Sequence, residues 1–149
     1  MQLSPHFKLE ELIHTNTRYA EENSVLSPEQ VEKLRVVCAT LLEPIRDQFG
    51  PVVIHSGYRC SALNKAIGGS ETSQHMLAEA CDFHVAGHTL EEVFWWIVKE
   101  SKIPYGQIIL EGPTPSKPTW IHISLGEPYR AKKKSRQAMK FDGTKYTLV

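Results

Sequence analysis

His75, Asp82 and His122 are the residues whose types best suit a divalent metal: two imidazoles and one carboxylate, all good zinc donors. His75 and Asp82 lie in the stretch Ser73-Gln74-His75-Met76-Leu77-Ala78-Glu79-Ala80-Cys81-Asp82-Phe83-His84, and His122 lies in Trp120-Ile121-His122-Ile123-Ser124. On a continuous helix, the seven-residue offset from His75 to Asp82 would separate them by roughly 10 Å along the axis. Ligands of one zinc each sit about 2 Å from it. The segment must therefore turn, with His75 in a loop or helix end and Asp82 on a strand.

Strand alternation supports that placement. If Ala80–Val85 is a strand, Cys81, Phe83 and Val85 face a core while Asp82 and His84 face the other way. In the later strand, Ile121, Ile123 and Leu125 form the apolar face, and Trp120, His122 and Ser124 the polar one. Two neighbouring strands can then put Asp82 and His122 on a shared face, with His75 arriving from the side. Three protein ligands and an open position for water is the pattern of a catalytic zinc. On spacing alone His84 is an alternative ligand to Asp82, and an isolated strand histidine is often structural.

The elements that must position these residues are short. The chain has 149 residues, enough for one domain spanning residues 1–149. Ser4-Pro5 looks like the entry to a helix over Leu3–Ile13. Ser27-Pro28-Glu29-Gln30 is a strong helix start, with Val31, Leu34, Val37, Cys38, Leu41 and Ile45 recurring at helical spacing. Pro44 should kink or end that helix, and Gly50-Pro51 closes it. Val52–Ile54 is a strand, Ser61–Ile67 a small helix, and Thr89–Glu100 a helix capped by Thr89. Strands over Gln107–Glu111 and Trp120–Leu125 flank the loop GPTPSKPT, and Met139–Val149 reads as a hairpin turning at Asp142-Gly143. The fold class is α+β, with helices packed on a central, mostly antiparallel sheet.

Composition excludes several classes. Lys plus Arg equals Asp plus Glu at 17 each, so net charge gives no case for nucleic acid. No apolar run approaches a bilayer-spanning length, and MQLSPHFKLEEL lacks the form of a secretory signal. The expectation is synthesis in the cytoplasm, no membrane insertion and a monomer. Cys38, Cys60 and Cys81 contain no CxxC and read as buried thiols. The Cys81–His84 pair fails as a nucleophile and base, because its members alternate to opposite strand faces.

The ordered motifs are more specific than the donor spacing. S-x-H-x-x-A-x-A-x-D from Ser73 to Asp82, preceded by Ser56-Gly57-Tyr58-Arg59 and followed by the Trp120–Ser124 segment, resembles the zinc D-Ala-D-Ala carboxypeptidase family. That family includes vancomycin-resistance D-Ala-D-Ala dipeptidases and phage L-Ala-D-Glu endolysins, and shares its fold with the hedgehog signalling domain. LSPHFKLEEL, Pro44–Arg46 and the ALNKAIGG of Ala62–Gly69 are similar to its small single-domain branch in phages and prophages. The resemblance implies one catalytic Zn2+ on His75, Asp82 and His122. It implies that Arg59 grips a substrate carboxylate and that Ser73 lies near the substrate backbone, although Ser73 is equally suited to a helix cap. The implied substrate is a peptidoglycan stem peptide. A phage or prophage lysin released to the wall would reconcile that substrate with cytoplasmic synthesis.

The chain departs from the family pattern in three places. Ala78 replaces a usual glycine, which matters only if the backbone there needs positive φ. Cys81 stands beside a ligand. Trp120 and Thr119 occupy positions where many members carry the catalytic acid or base, and neither can serve. Glu111, at the end of a strand expected to pair with the His122 strand, is the candidate general base, with Glu79 and His84 in reserve. The alternative is a catalytically inactive, zinc-stabilised cell-wall-binding module. The run Arg130–Lys140 holds six Lys or Arg and reads as a solvated segment, with attraction to anionic wall polymer as its other reading. Trp95 and Trp96 read as packing residues.

Overall fold

The computed structural model describes residues 1–114, 117–127, 129 and 136–149. It opens with a small hairpin, β1 (Gln2–Ser4) and β2 (Phe7–Lys8), which leads into α1 (Leu9–Ile13). The helix expected over Leu3–Ile13 is therefore only its second half. Pro5 sits in the turn, and Ser4 Oγ is held at 2.6 Å by Glu43 rather than capping a helix.

Ser27 caps α2 (Pro28–Val36) through a reciprocal pair: Gln30 N–H donates to Ser27 Oγ (3.1 Å), and Ser27 N–H to Gln30 Oε1 (2.9 Å). Pro44 does not end the helix. The chain passes through a wide π-type segment at Val37–Leu42, closed by Glu43 N–H to Cys38 O, and continues as α3 (Glu43–Phe49). Proline offers no N–H and crowds the carbonyl four residues back, so a widened turn accommodates it without a break. Leu34, Val37, Cys38, Leu41, Leu42 and Ile45 are all fully buried along this unit. Each large aliphatic side chain among them contributes roughly 1.5–3 kcal/mol of burial.

The remaining elements are β3 (Val52–Ser56), α4 (Ser61–Ala66), β4 (Ala80–Val85), α5 (Leu90–Lys99), β5 (Tyr105–Glu111), β6 (Trp120–Leu125), β7 (Gln137–Phe141) and β8 (Tyr146–Leu148). The strands from β3 onward form one six-stranded sheet in the order β3-β4-β6-β5-β7-β8. Four pairings are antiparallel, and β5–β7 is parallel, so the sheet is mixed and the class is α+β. One face carries the buried Cys81, Phe83, Val85, Ile108, Leu110, Ile121, Ile123 and Leu125, in one cluster with the α2–α3 apolar side chains and with Val93, Phe94 and Ile97 of α5. The opposite face is left for the site.

Trp96 meets Phe49 edge-on at 5.3 Å, and Trp95 lies under Lys99 and Lys140, so both tryptophans pack as expected. The basic run Arg130–Lys140 lies partly outside the described residues. Its Arg136 is not merely solvated: it donates to the carbonyls of Ile97 and Val98 in the last turn of α5 and of Ser101 and Ile103 beyond it, and stacks on Tyr105 at 4.5 Å. Of the loop GPTPSKPT, Pro115 and Ser116 also lie outside the described residues. Among the described residues no helix is long and apolar enough to cross a membrane.

Candidate metal centre

Asp82 and His122 are directly opposite each other on β4 and β6, which puts both side chains on the face away from the core. His75 comes from the turn-rich segment between α4 and β4. Ala78, at φ 59°, reverses that segment into the strand. The backbone there does need positive φ, so alanine stands in a conformation that favours glycine.

The inner nitrogens converge on one carboxylate oxygen. His75 Nε2 lies 3.2 Å and His122 Nδ1 2.9 Å from Asp82 Oδ1, with the rings 5.2 Å apart. All three residues are buried, at 2%, 8% and 7% exposure for His75, His122 and Asp82. Each outer nitrogen faces an oxygen that only accepts: Gly57 O is 2.7 Å from His75 Nδ1, and Gln74 Oε1 is 2.7 Å from His122 Nε2. The outer nitrogens therefore carry the ring protons. The inner ones are left as lone pairs aimed at a third acceptor. A metal ion between the three atoms would satisfy that arrangement. Asp82 expresses the same demand: burial alone would raise its carboxyl, but His75 and His122 hold it far below the usual carboxylate range. The donor set fits a zinc ion: two imidazoles whose outer nitrogens are already held, and a carboxylate.

Among the described residues a second set of suitably close donors is His6, Glu43 and Asp47. It is more exposed, and Glu43 Oε2 already accepts from Ser4 Oγ and His6 N–H.

The approach to the site depends on Gly57. A Cβ there would fall 2.3 Å from Leu12 O, so only glycine lets this backbone close on α1, where Tyr58 N–H donates to Leu12 O at 2.7 Å. Buried Asn23 holds the next turn: its Nδ2 donates to Ile13 O (2.7 Å) and Tyr58 O (3.1 Å), and its Oδ1 accepts from Cys60 N–H (2.7 Å). Arg59, between those two anchors, donates its backbone N–H to His75 O at 3.1 Å. The Arg59 side chain enters the cleft, and its buried Nε has no hydrogen-bond partner. Burial pulls its acidity toward the neutral form, opposed by the charges of Asp82 and Glu111.

The cleft has a volume of about 940 Å3 and brings His75, Asp82, His122, Arg59, Ser73 and Glu111 together. Ser73 lines the cleft, and it caps no helix: it opens a turn, where its Oγ accepts the His75 N–H at 3.2 Å. Glu111 is opposite Trp120 in the β5–β6 pair, and Trp120 Nε1 donates to Glu111 Oε2 at 2.6 Å. Burial lifts the Glu111 carboxyl above its usual range; Asp82 adds to this, while His122, the Trp120 hydrogen bond and His75 partly offset it. Of the reserves, Glu79 is buried in an ion pair with Lys33 at 2.7 Å, and His84 is engaged with His55 at 2.6 Å. Cys81 is fully buried and its thiol is pushed well up by burial.

Sequence reading missed Gln74 and Asn23. Both are polar residues beside recognised motifs, but their partners lie 48 residues away (His122) and 35 and 37 residues away (Tyr58 and Cys60). No local pattern encodes contacts of that span. Trp120 was read as a polar-face residue of the motif that cannot act as acid or base; the contact of its indole N–H with Glu111, the candidate base, was not foreseen.

Among curated proteins none matches the chain. The family model described as Peptidase M15 matches residues 5–124, which include His75, Asp82, His122 and Glu111, and the chain therefore belongs to the peptidase M15 family.

Proposed function

We propose that the protein is a zinc metallopeptidase that hydrolyses peptide bonds in peptidoglycan stem peptides. The observation that carries this reading is the convergence of His75 Nε2, His122 Nδ1 and Asp82 Oδ1 in a cleft that also holds Glu111 and Arg59. When bound, zinc supplies Lewis acidity toward the scissile carbonyl and toward an attacking water.

The chain's own groups do the rest. Glu111 is ionised in its working state and accepts a proton from the attacking water, then returns it to the departing nitrogen. Its raised pKa suits both steps better than that of an exposed carboxylate would. Trp120 keeps one carboxylate oxygen occupied, leaving the other for the water. Arg59 lines the cleft and offers a planar, always-charged fork to a substrate carboxylate. Ser73 stands beside it for the substrate backbone. Synthesis in the cytoplasm followed by release to the wall would bring such an enzyme to this substrate.

The test is mass spectrometry of stem peptides incubated with zinc-loaded protein, with and without chelator. Loss of a terminal D-Ala makes it a carboxypeptidase, and a cut between L-Ala and D-Glu makes it an endopeptidase. Glu111→Gln should retain zinc while turnover falls by at least about a hundredfold, the scale of a lost general base. Zinc retention with no turnover by the unmodified protein would instead identify a zinc-stabilised binding module.

A further inference from the structure

The family match ends at residue 124, inside β6, but the cleft continues. Gln137 and Met139 of β7 and Tyr146 of β8 line it as well. The sheet register shows how they relate to the metal ligands. Asp82, His122, Ile109 and Met139 form one cross-strand row over β4, β6, β5 and β7. Trp120, Glu111, Phe141 and Tyr146 form the next row over β6, β5, β7 and β8.

Strands lie about 4.8 Å apart, so β7 is roughly 10 Å and β8 roughly 14 Å from the His122 strand. An extended peptide advances about 3.3–3.6 Å per residue. A peptide crossing the sheet from the metal centre thus meets this wall with its third and fourth residues. Arg59 follows β3, at the opposite edge of the sheet. A dipeptide whose carboxylate is held there does not reach the wall.

The wall also has a distinct chemistry. Phe141 and Tyr146 are stacked at 4.5 Å and 29°, yet Tyr146 remains 54% exposed, so one aromatic surface is braced and another is open. Ile109 and Met139 lie beside it, and the side-chain amides of Gln107 and Gln137 are paired at 3.1 Å. These lining groups are uncharged. They suit a neutral stretch of peptide with small or apolar side chains, not a second carboxylate. The Tyr146 hydroxyl lies within the field of the site: burial, then Glu111 and Asp82, raise its pKa.

We propose that the β7–β8 hairpin is a far subsite of the cleft, which receives the third and fourth residues on the amino side of the scissile bond and gives the chain a preference for extended peptides over dipeptides. The direction rests on the peptidase reading above, with the carboxylate at Arg59.

The test uses D-alanine-terminated alanyl peptides of two to five residues with blocked amino ends. Their binding to zinc-loaded Glu111→Gln protein is measured by calorimetry, and their cleavage by the unmodified protein by mass spectrometry. Affinity should rise by about tenfold between the dipeptide and the pentapeptide, the scale of one good aromatic contact. Tyr146→Ala should bring the pentapeptide down to the dipeptide's affinity, and Tyr146→Phe should preserve the increment. Equal affinity across the series, or an increment that survives both Tyr146→Ala and Met139→Ala, overturns the subsite. Cleavage without length dependence removes the subsite and leaves the peptidase standing. A length-dependent affinity with no cleavage does the reverse.

Discussion

A carboxylate that must take up and release a proton is helped by partial burial, and the same burial makes it a burden on the fold. Because Glu111 has a folded-state value above its unfolded one, ionising it costs stability. That cost is absent below the unfolded value, about 4.3, and is complete once the pH has passed the folded value. In chelator-treated protein, Glu111→Gln should therefore melt level with the unmodified chain at low pH and above it near neutrality. Trp120→Phe, which deletes the indole donor, should widen that gap. A gap that shrinks with rising pH would contradict the placement of Glu111. At this scale the sequence was readable wherever a two-residue period decided orientation: it put Asp82 and His122 on one face and Cys81 on the other. It was unreadable where the partner was remote, as for Gln74 on His122 and for Asn23 around Arg59.

The elements tell a similar story. Ser27-Pro28-Glu29-Gln30 announced α2 because a capping box is a local device, complete within four residues. Ser4-Pro5 offered the same first two letters, yet a turn uses them equally well, and pairing of Gln2 with Lys8 decided for a hairpin. Pro44 was expected to break or kink a helix that a π-type segment instead carries through. The parallel β5–β7 contact had no signature at all, since its partners are separated by thirty positions of chain. The connection into β4 gives a sharp prediction. Ala78 sits at φ 59°, where a non-glycine residue is strained by roughly 1–2 kcal/mol. Ala78→Gly should leave stability unchanged or raise it by up to about 1 kcal/mol in urea unfolding, although its methyl is buried. Ala80→Gly, in ordinary strand conformation, should lose stability instead. Equal losses at both positions would remove strain as the explanation.

The molecule as a whole is a sheet with two unlike faces. One is filled by α2, α3 and α5, and the other is left open across the strands for the cleft. That division was legible from the sequence because period-two alternation in β4 and β6 coexists with a helical apolar face in α2–α3. The order of strands was not, because it depends on pairings that only the closed sheet makes. The three metal donors inherit this dependence. Asp82 meets His122 across 40 residues of chain, and His75 joins from a segment held by Gly57 O and by the Arg59 N–H. His75 and Asp82 are seven residues apart, but His122 is 40 residues from Asp82, so the ion lacks its full donor set until β4 and β6 have paired and the His75 segment has docked. Zinc should accordingly act as a late latch rather than as a nucleus. In stopped-flow experiments, saturating zinc should slow unfolding while leaving the refolding rate from denaturant unchanged. Faster refolding with zinc would mean that the β4–β6 pairing is already made at the barrier.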